Sequence, residues 1–127
     1  MKLGLYGSIA NPPDGQDMDR CVQETLSEVV LSEQVGFDGF FFGEHHQDTD
    51  GFLPSPLVVA AAAAGRTTRI DIGTSVILLP LHHPVRTAED AATLDIVSGG
   101  RAKIGVGLGY QPADFNMFGL DMADRVS

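Results

Sequence analysis

Cysteine is nearly absent from this chain. Cys21 stands alone, which excludes an internal disulfide and fits a reducing compartment. Its helix-like surroundings assign it the bland role of a small buried side chain. Basic residues are also scarce: 8 Lys and Arg face 17 Asp and Glu, for a formal net charge of -9. Such a surface repels nucleic acid and anionic membranes, and no basic run offsets it. No apolar stretch is long enough to cross a bilayer, and the one in "MKLGLYGSIANPP" is too short for a secretory signal. These absences predict a cytoplasmic protein with neither nucleic-acid nor membrane partners. No G-x-S-x-G and no P-loop occurs, which argues against serine hydrolysis and P-loop nucleotide chemistry.

What is present suits one globular domain over residues 1–127, with 43% hydrophobic and 20% charged residues. The chain alternates between strand-like and helix-like segments. "KLGLYG" (Lys2 to Gly7) reads as a strand, and the loop "NPPDGQD" follows. Met18, Val22, Leu26 and Val29 carry helical spacing through a segment Met18 to Val35 that Gly36 stops. "DGFFFG" is a nearly all-apolar strand, as expected when both faces are covered. Ser55, Pro56 and Gly65 frame a thin alanine helix as cap, first residue and stop. "IDIGTSVILLP" reads as a strand over Ile70 to Pro80, Pro84 to Gly100 as a helix, and "AKIGVG" as a strand over Ala102 to Gly107. A short helix and loop follow.

The strands start near residues 2, 38, 70 and 102, the pace of repeated βα units without a visible sequence repeat. Two α/β architectures fit: an open doubly wound sheet, or part of a (β/α)8 barrel, whose complete form needs about 250 residues. In both, ligands sit at the carboxyl ends of the strands. This places Glu44, His45 and His46, directly after the second strand, on the functional rim. A carboxylate beside an imidazole is ordinary acid–base equipment. Strand alternation turns His45 and His46 to opposite sides, so one pocket does not take both.

His82 and His83 follow the third strand. With Glu44 and the other two histidines they raise the question of a metal and a metal hydrolase. Adjacent histidines point apart, however, and neither pair has the i, i+4 spacing of a zinc helix, so no metal is assigned. His83 precedes Pro84 and is held extended as a helix entry. "GVGLG" permits close approach of a ligand to the backbone, or simply a tight turn; it is not G-x-G-x-x-G. Ser75, within the third strand, reads by itself as a satisfied core hydroxyl.

Taken together, "GFDGFFFGEHH", "IDIGTSVILLPLHHPVRTAEDAATLDIVSGGRAKIGVGLGY" and "ADFNMFGLD" resemble the bacterial luciferase-like flavin-dependent monooxygenase family over nearly the whole chain. The resemblance implies a TIM barrel, of which about the first four βα units are present. It implies a metal-free oxidoreductase binding reduced FMN or, in a sister branch, a deazaflavin coenzyme used for hydride transfer. The partners it implies are oxygen, a small organic substrate and a separate flavin reductase.

Residue by residue, the resemblance gives His45 proton handling near the flavin and makes Glu44 the neighbouring glutamate that lines that pocket; Glu44 is expected to orient His45. It makes Ser75 and Val76 a pair joined by a non-prolyl cis peptide behind the ring. Phe40 to Phe42 would exclude water. Gly107 stands where light-emitting relatives carry a reactive cysteine, so light emission is not expected. Leu108 replaces their phosphate-binding arginine, and Arg125 is the candidate substitute. At half a barrel's length, the chain is expected either to be a piece of a longer product or to close its sheet by self-association as a homodimer. A non-catalytic half-barrel is the third reading.

Overall fold

The computed structural model describes residues 1–10, 17–46 and 53–126. The "NPPDGQD" loop, apart from Asp17, lies outside them. Four strands form one parallel sheet: β1 (Gly4–Gly7), β2 (Gly39–Phe42), β3 (Asp71–Leu78) and β4 (Ala102–Gly107). Helices α1 (Met18–Val35), α2 (Pro56–Ala64) and α3 (Pro84–Ser98) connect them in turn, and α4 (Pro112–Met117) follows β4.

Strand order is β1-β2-β3-β4. A doubly wound sheet reverses direction at a switch point, whereas a barrel adds each strand beside the last. The order therefore decides between the two architectures in favour of four consecutive barrel units.

The boundaries follow local chemistry. The Asp17 side chain accepts a hydrogen bond from Arg20 N at the start of α1. Gly36 ends the helix in the left-handed region at φ 99°, with its N–H on Glu33 O. Gly99 ends α3 in the same way at φ 69°. Gly65 also follows its helix, but at φ -70°, and Ser55 makes no side-chain cap bond. β1 begins at Gly4 rather than Lys2. β3 stops at Leu78, because Leu79–Leu81 turn into a short 3-10 segment.

Registry separates the two faces of the sheet. Leu5, Phe40, Ile72 and Ala102 stand in one row across all four strands. They face the helices, where Phe40, Phe42 and Ile72 pack with Leu26 and Val29 of α1, Ala60 and Ala63 of α2, and Leu94 of α3. Fully burying each large apolar side chain contributes about 1.5–3 kcal/mol. The alanines of α2 bring its backbone close to the sheet, and Ala60 and Ala63 are fully buried. Phe40 and Phe42 thus belong to this core. Strand alternation turns them away from the carboxyl-end cleft that they were expected to shield.

Two polar anchors hold the opposite, amino-terminal end. The Glu33 carboxylate accepts from the backbone N–H groups of Thr68, Arg69 and Ile70. Arg101 donates from Nε to Ser98 O at 2.6 Å and from Nη1 to Ile70 O at 2.8 Å. Its Nη2 donates to the carbonyls of Ala64 and Thr67, both at 3.0 Å. One guanidinium therefore fastens the end of α2, the start of β3 and the end of α3.

Arg101→Lys keeps the charge but loses the planar fork. It is expected to lower stability by about 2–4 kcal/mol in urea titration, since bonds to charged groups contribute most when their acceptors are left without replacement. Unchanged stability would remove Arg101 from this role.

Candidate active site

Beyond β2, the side chains of Glu44 and His46 meet each other, while that of His45 approaches Asp114 instead. The Glu44 side chain is completely buried. Its Oε2 accepts from Leu78 N at 2.6 Å, and its Oε1 accepts from His82 Nε2 at 2.7 Å and His46 Nε2 at 2.9 Å. An ionised carboxylate only accepts, so both Nε2 atoms carry hydrogen. Burial alone would raise the Glu44 pKa. The bonds from His82, Leu78 N and His46 outweigh it and hold the group below its ordinary 4.5. The bond to Glu44 raises His82 above its ordinary 6.5, against the opposing effect of burial; Glu44 and Asp90 add electrostatic support.

This corrects one expectation. Glu44 borders the carboxyl-end cleft, but its carboxyl group is buried and grips His46 and His82 rather than orienting His45. The cause is the period of two, which sends alternate side chains to opposite sides. The same period separates His45 from His46 as expected.

His45 enters an open cleft of about 470 Å³ at the carboxyl ends of the strands, lined also by Tyr6, Ser75, Val76, Gly107 and Tyr110. Its ring meets Tyr110 edge-on, with centroids 5.8 Å apart. The Ser75–Val76 peptide is cis, the geometry the resemblance implied. Ser75 is exposed rather than a core hydroxyl. The β3–β4 register shifts between Thr74 and Ile77, which takes this stretch out of regular pairing. Thr74 Oγ1 donates to Gly105 O at 2.8 Å beside the irregularity. Gly107 packs directly on Val76: an added Cβ would come within 2.5 Å of Val76 Cγ2.

The remaining candidates lie elsewhere. His82 and His83 border a separate hollow of about 260 Å³ between the starts of α2 and α3. Arg86, on the same hollow, pairs with Asp90 at 3.0 Å. Arg125 donates to Met122 O and lines a third, smaller hollow beside Phe115, so the structure does not bring it to the His45 cleft. Among the described residues, no group of three or more His, Cys, Asp and Glu is arranged to hold a metal ion, and no helix is long and apolar enough to cross a membrane.

One residue escaped sequence reasoning. Asp114, in α4, is fully buried, with Oδ1 accepting from His46 N at 2.9 Å and Oδ2 3.6 Å from His45 Nδ1. Nothing in "PADFNM" marks this acid, and only the meeting of two distant loops reveals it.

A parallel βα sheet with a His-bearing cleft at its carboxyl ends defines a barrel-type enzyme scaffold. The luciferase-like monooxygenase family model matches residues 1–127, and the chain belongs to that family. It is 44% identical to the alkanal monooxygenase alpha chain of Photorhabdus luminescens, over 96% of this chain and 34% of that protein. Among solved structures, it superposes on the oxygenating constituent of 3,6-diketocamphane monooxygenase from Pseudomonas putida, in complex with FMN. The TM-score is 0.88 at 27% identity, covering 99% of this chain and 36% of the other. It also matches the coenzyme F420 dependent tetrahydromethanopterin reductase of Methanopyrus kandleri, with TM-score 0.69 at 28% identity, covering 94% and 30%. The chain spans about a third of the length of the curated relatives it matches.

The Glu44 network has a defined pH signature. Glu44, held below 4.5, contributes stability above that value that is lost as pH falls through its folded pKa. His82, held above 6.5, contributes stability below that value that is lost as pH rises through its folded pKa. Glu44→Gln is therefore expected to cost about 2 kcal/mol near pH 6, in line with unsatisfied buried donors. The difference from wild type should shrink as pH rises past the His82 titration. Urea midpoints from pH 5.5 to 9 test this, and a difference independent of pH counts against it.

Proposed function

We propose that this chain supplies the flavin-facing part of a monooxygenase that uses reduced FMN and oxygen to oxidise a small organic molecule. The observation that carries the reading is the placement of His45, the Ser75–Val76 pair and Gly107 on one cleft, while the other histidines are committed elsewhere. The cleft is of small-molecule size. Its aromatic and aliphatic walls suit a flat ring system.

Reduced FMN, when bound, would supply the electrons with which oxygen is activated. The chain's own residues do the rest. Ser75 and Val76 form a floor, with Val76 packed on Gly107. Tyr6 and Tyr110 narrow the approach. His45, which lines this cleft, takes or gives a proton at its imidazole. Glu44 acts at a distance by fixing the loops on either side. Arg125 has no place in this scheme. A separate reductase supplying the flavin, and a homodimeric assembly, belong to the same proposal.

A deazaflavin-dependent hydride transfer is the second reading, favoured by the F420-dependent neighbour. A half-barrel that only associates with another chain is the third. Fluorescence titration with FMN and with the deazaflavin separates the first two, preference for FMN supporting oxygenation and preference for the deazaflavin the second reading; association with another chain without flavin turnover supports the third.

If the first holds, His45→Ala should keep FMN affinity within about threefold. Oxidation of a panel of aldehydes and ketones should fall about 10²–10⁴-fold, the usual scale of a lost general acid or base. Turnover equal to wild type would falsify the role of His45.

A further inference from the structure

We propose that Asp114 is the positioning residue for His45: its buried carboxylate faces Nδ1, keeps the hydrogen on that nitrogen and leaves Nε2 as the proton acceptor that serves the cleft. This deepens the role given to His45 above and rests on that role for its functional meaning. The tautomer itself does not depend on a flavin.

The geometry is specific. Asp114 lies 68 residues from His46 in sequence, yet Oδ1 takes the His46 backbone N–H at 2.9 Å. That bond clamps the peptide following His45. Its other oxygen, Oδ2, is shielded from solvent, has no hydrogen-bond partner among the described residues, and stands 3.6 Å from His45 Nδ1. This separation is too long for a hydrogen bond and within reach of an ion pair. Such contacts commonly tighten once a ligand closes the site.

A carboxylate can only accept, so the imidazole nitrogen facing it is favoured as N–H. In the neutral ring the other nitrogen is then the lone-pair site, on the side away from Asp114. Glu44 cannot take this part, since both of its oxygens are engaged by Leu78, His46 and His82. A tether with no influence on the ring is the competing account. It requires only Oδ1 and leaves the direction of Oδ2 without a purpose.

Asp114→Asn separates the two. The amide oxygen can keep the bond from His46 N, while the amide NH2 replaces Oδ2 and, as a donor, favours hydrogen on Nε2 instead. The measurement is long-range 15N–1H correlation on the chain labelled at histidine, with the His45 ring signals identified by their loss in His45→Ala. The expected result is the Nδ1–H tautomer in wild type and a switch to Nε2–H in Asp114→Asn. An Nε2–H ring in wild type, or an unchanged tautomer in a folded Asn variant, overturns the proposal. If the Asn variant does not fold, the wild-type tautomer and Asp114→Ser carry the test: Ser should leave a mixture of tautomers, and an unaltered Nδ1–H ring counts against Asp114.

In the flavin-dependent assay, Asp114→Asn should lower turnover about 10²–10⁴-fold with little change in FMN affinity. It should have no added effect in a His45→Ala background. Absence of flavin binding would sink the proposed function while leaving the tautomer result intact.

Discussion

The Glu44 carboxylate is shut away from water and must find its hydrogen bonds inside the protein, and the arrangement of the carboxyl-end loops depends on that need. A buried charge left without partners is far costlier than one fully satisfied. Here three donors from two loops meet it: His46 from its own strand exit, and Leu78 N and His82 from the end of β3. Leu78 lies three residues beyond Ser75, so the group that anchors the EHH segment also fixes the carboxyl end of the strand carrying the cleft floor. His45 is left on the opposite side. It faces the cleft while its neighbours bind one another.

The two ends of the sheet are built by different means and serve different ends. At the amino-terminal end, Glu33 and Arg101 bind backbone groups almost exclusively, and they tie helices to strands. At the carboxyl end, the charged groups bind one another across loops and leave an open concavity. This division suits a scaffold whose stability and chemistry are to be separable, as in barrels generally.

Local signals made much of this legible. The span of α1 could be read from its apolar spacing and from Gly36, and that of β4 from "AKIGVG". The period of two separated His45 from His46. Applied one residue earlier, the same rule would have paired Glu44 with His46; family resemblance instead attached Glu44 to His45. The partnership with His82 and the position of Asp114 could not be read locally, because each depends on how segments 38 and 68 residues apart meet. Ser75 was misread for another reason: a strand rich in β-branched residues looks regular, and nothing in "GTSVIL" announces the shift in pairing that exposes it.

The contact of Gly107 with Val76 has a consequence for how this cleft can vary among relatives. The two positions share one small volume, so a side chain at 107 needs a smaller residue at 76 to make room. Substitutions there are coupled rather than additive. A lineage that acquires a thiol at 107 is expected to have trimmed position 76 first, because the reverse order passes through an overpacked intermediate. Val76 thereby records which routes of change are open to this chain and which must wait.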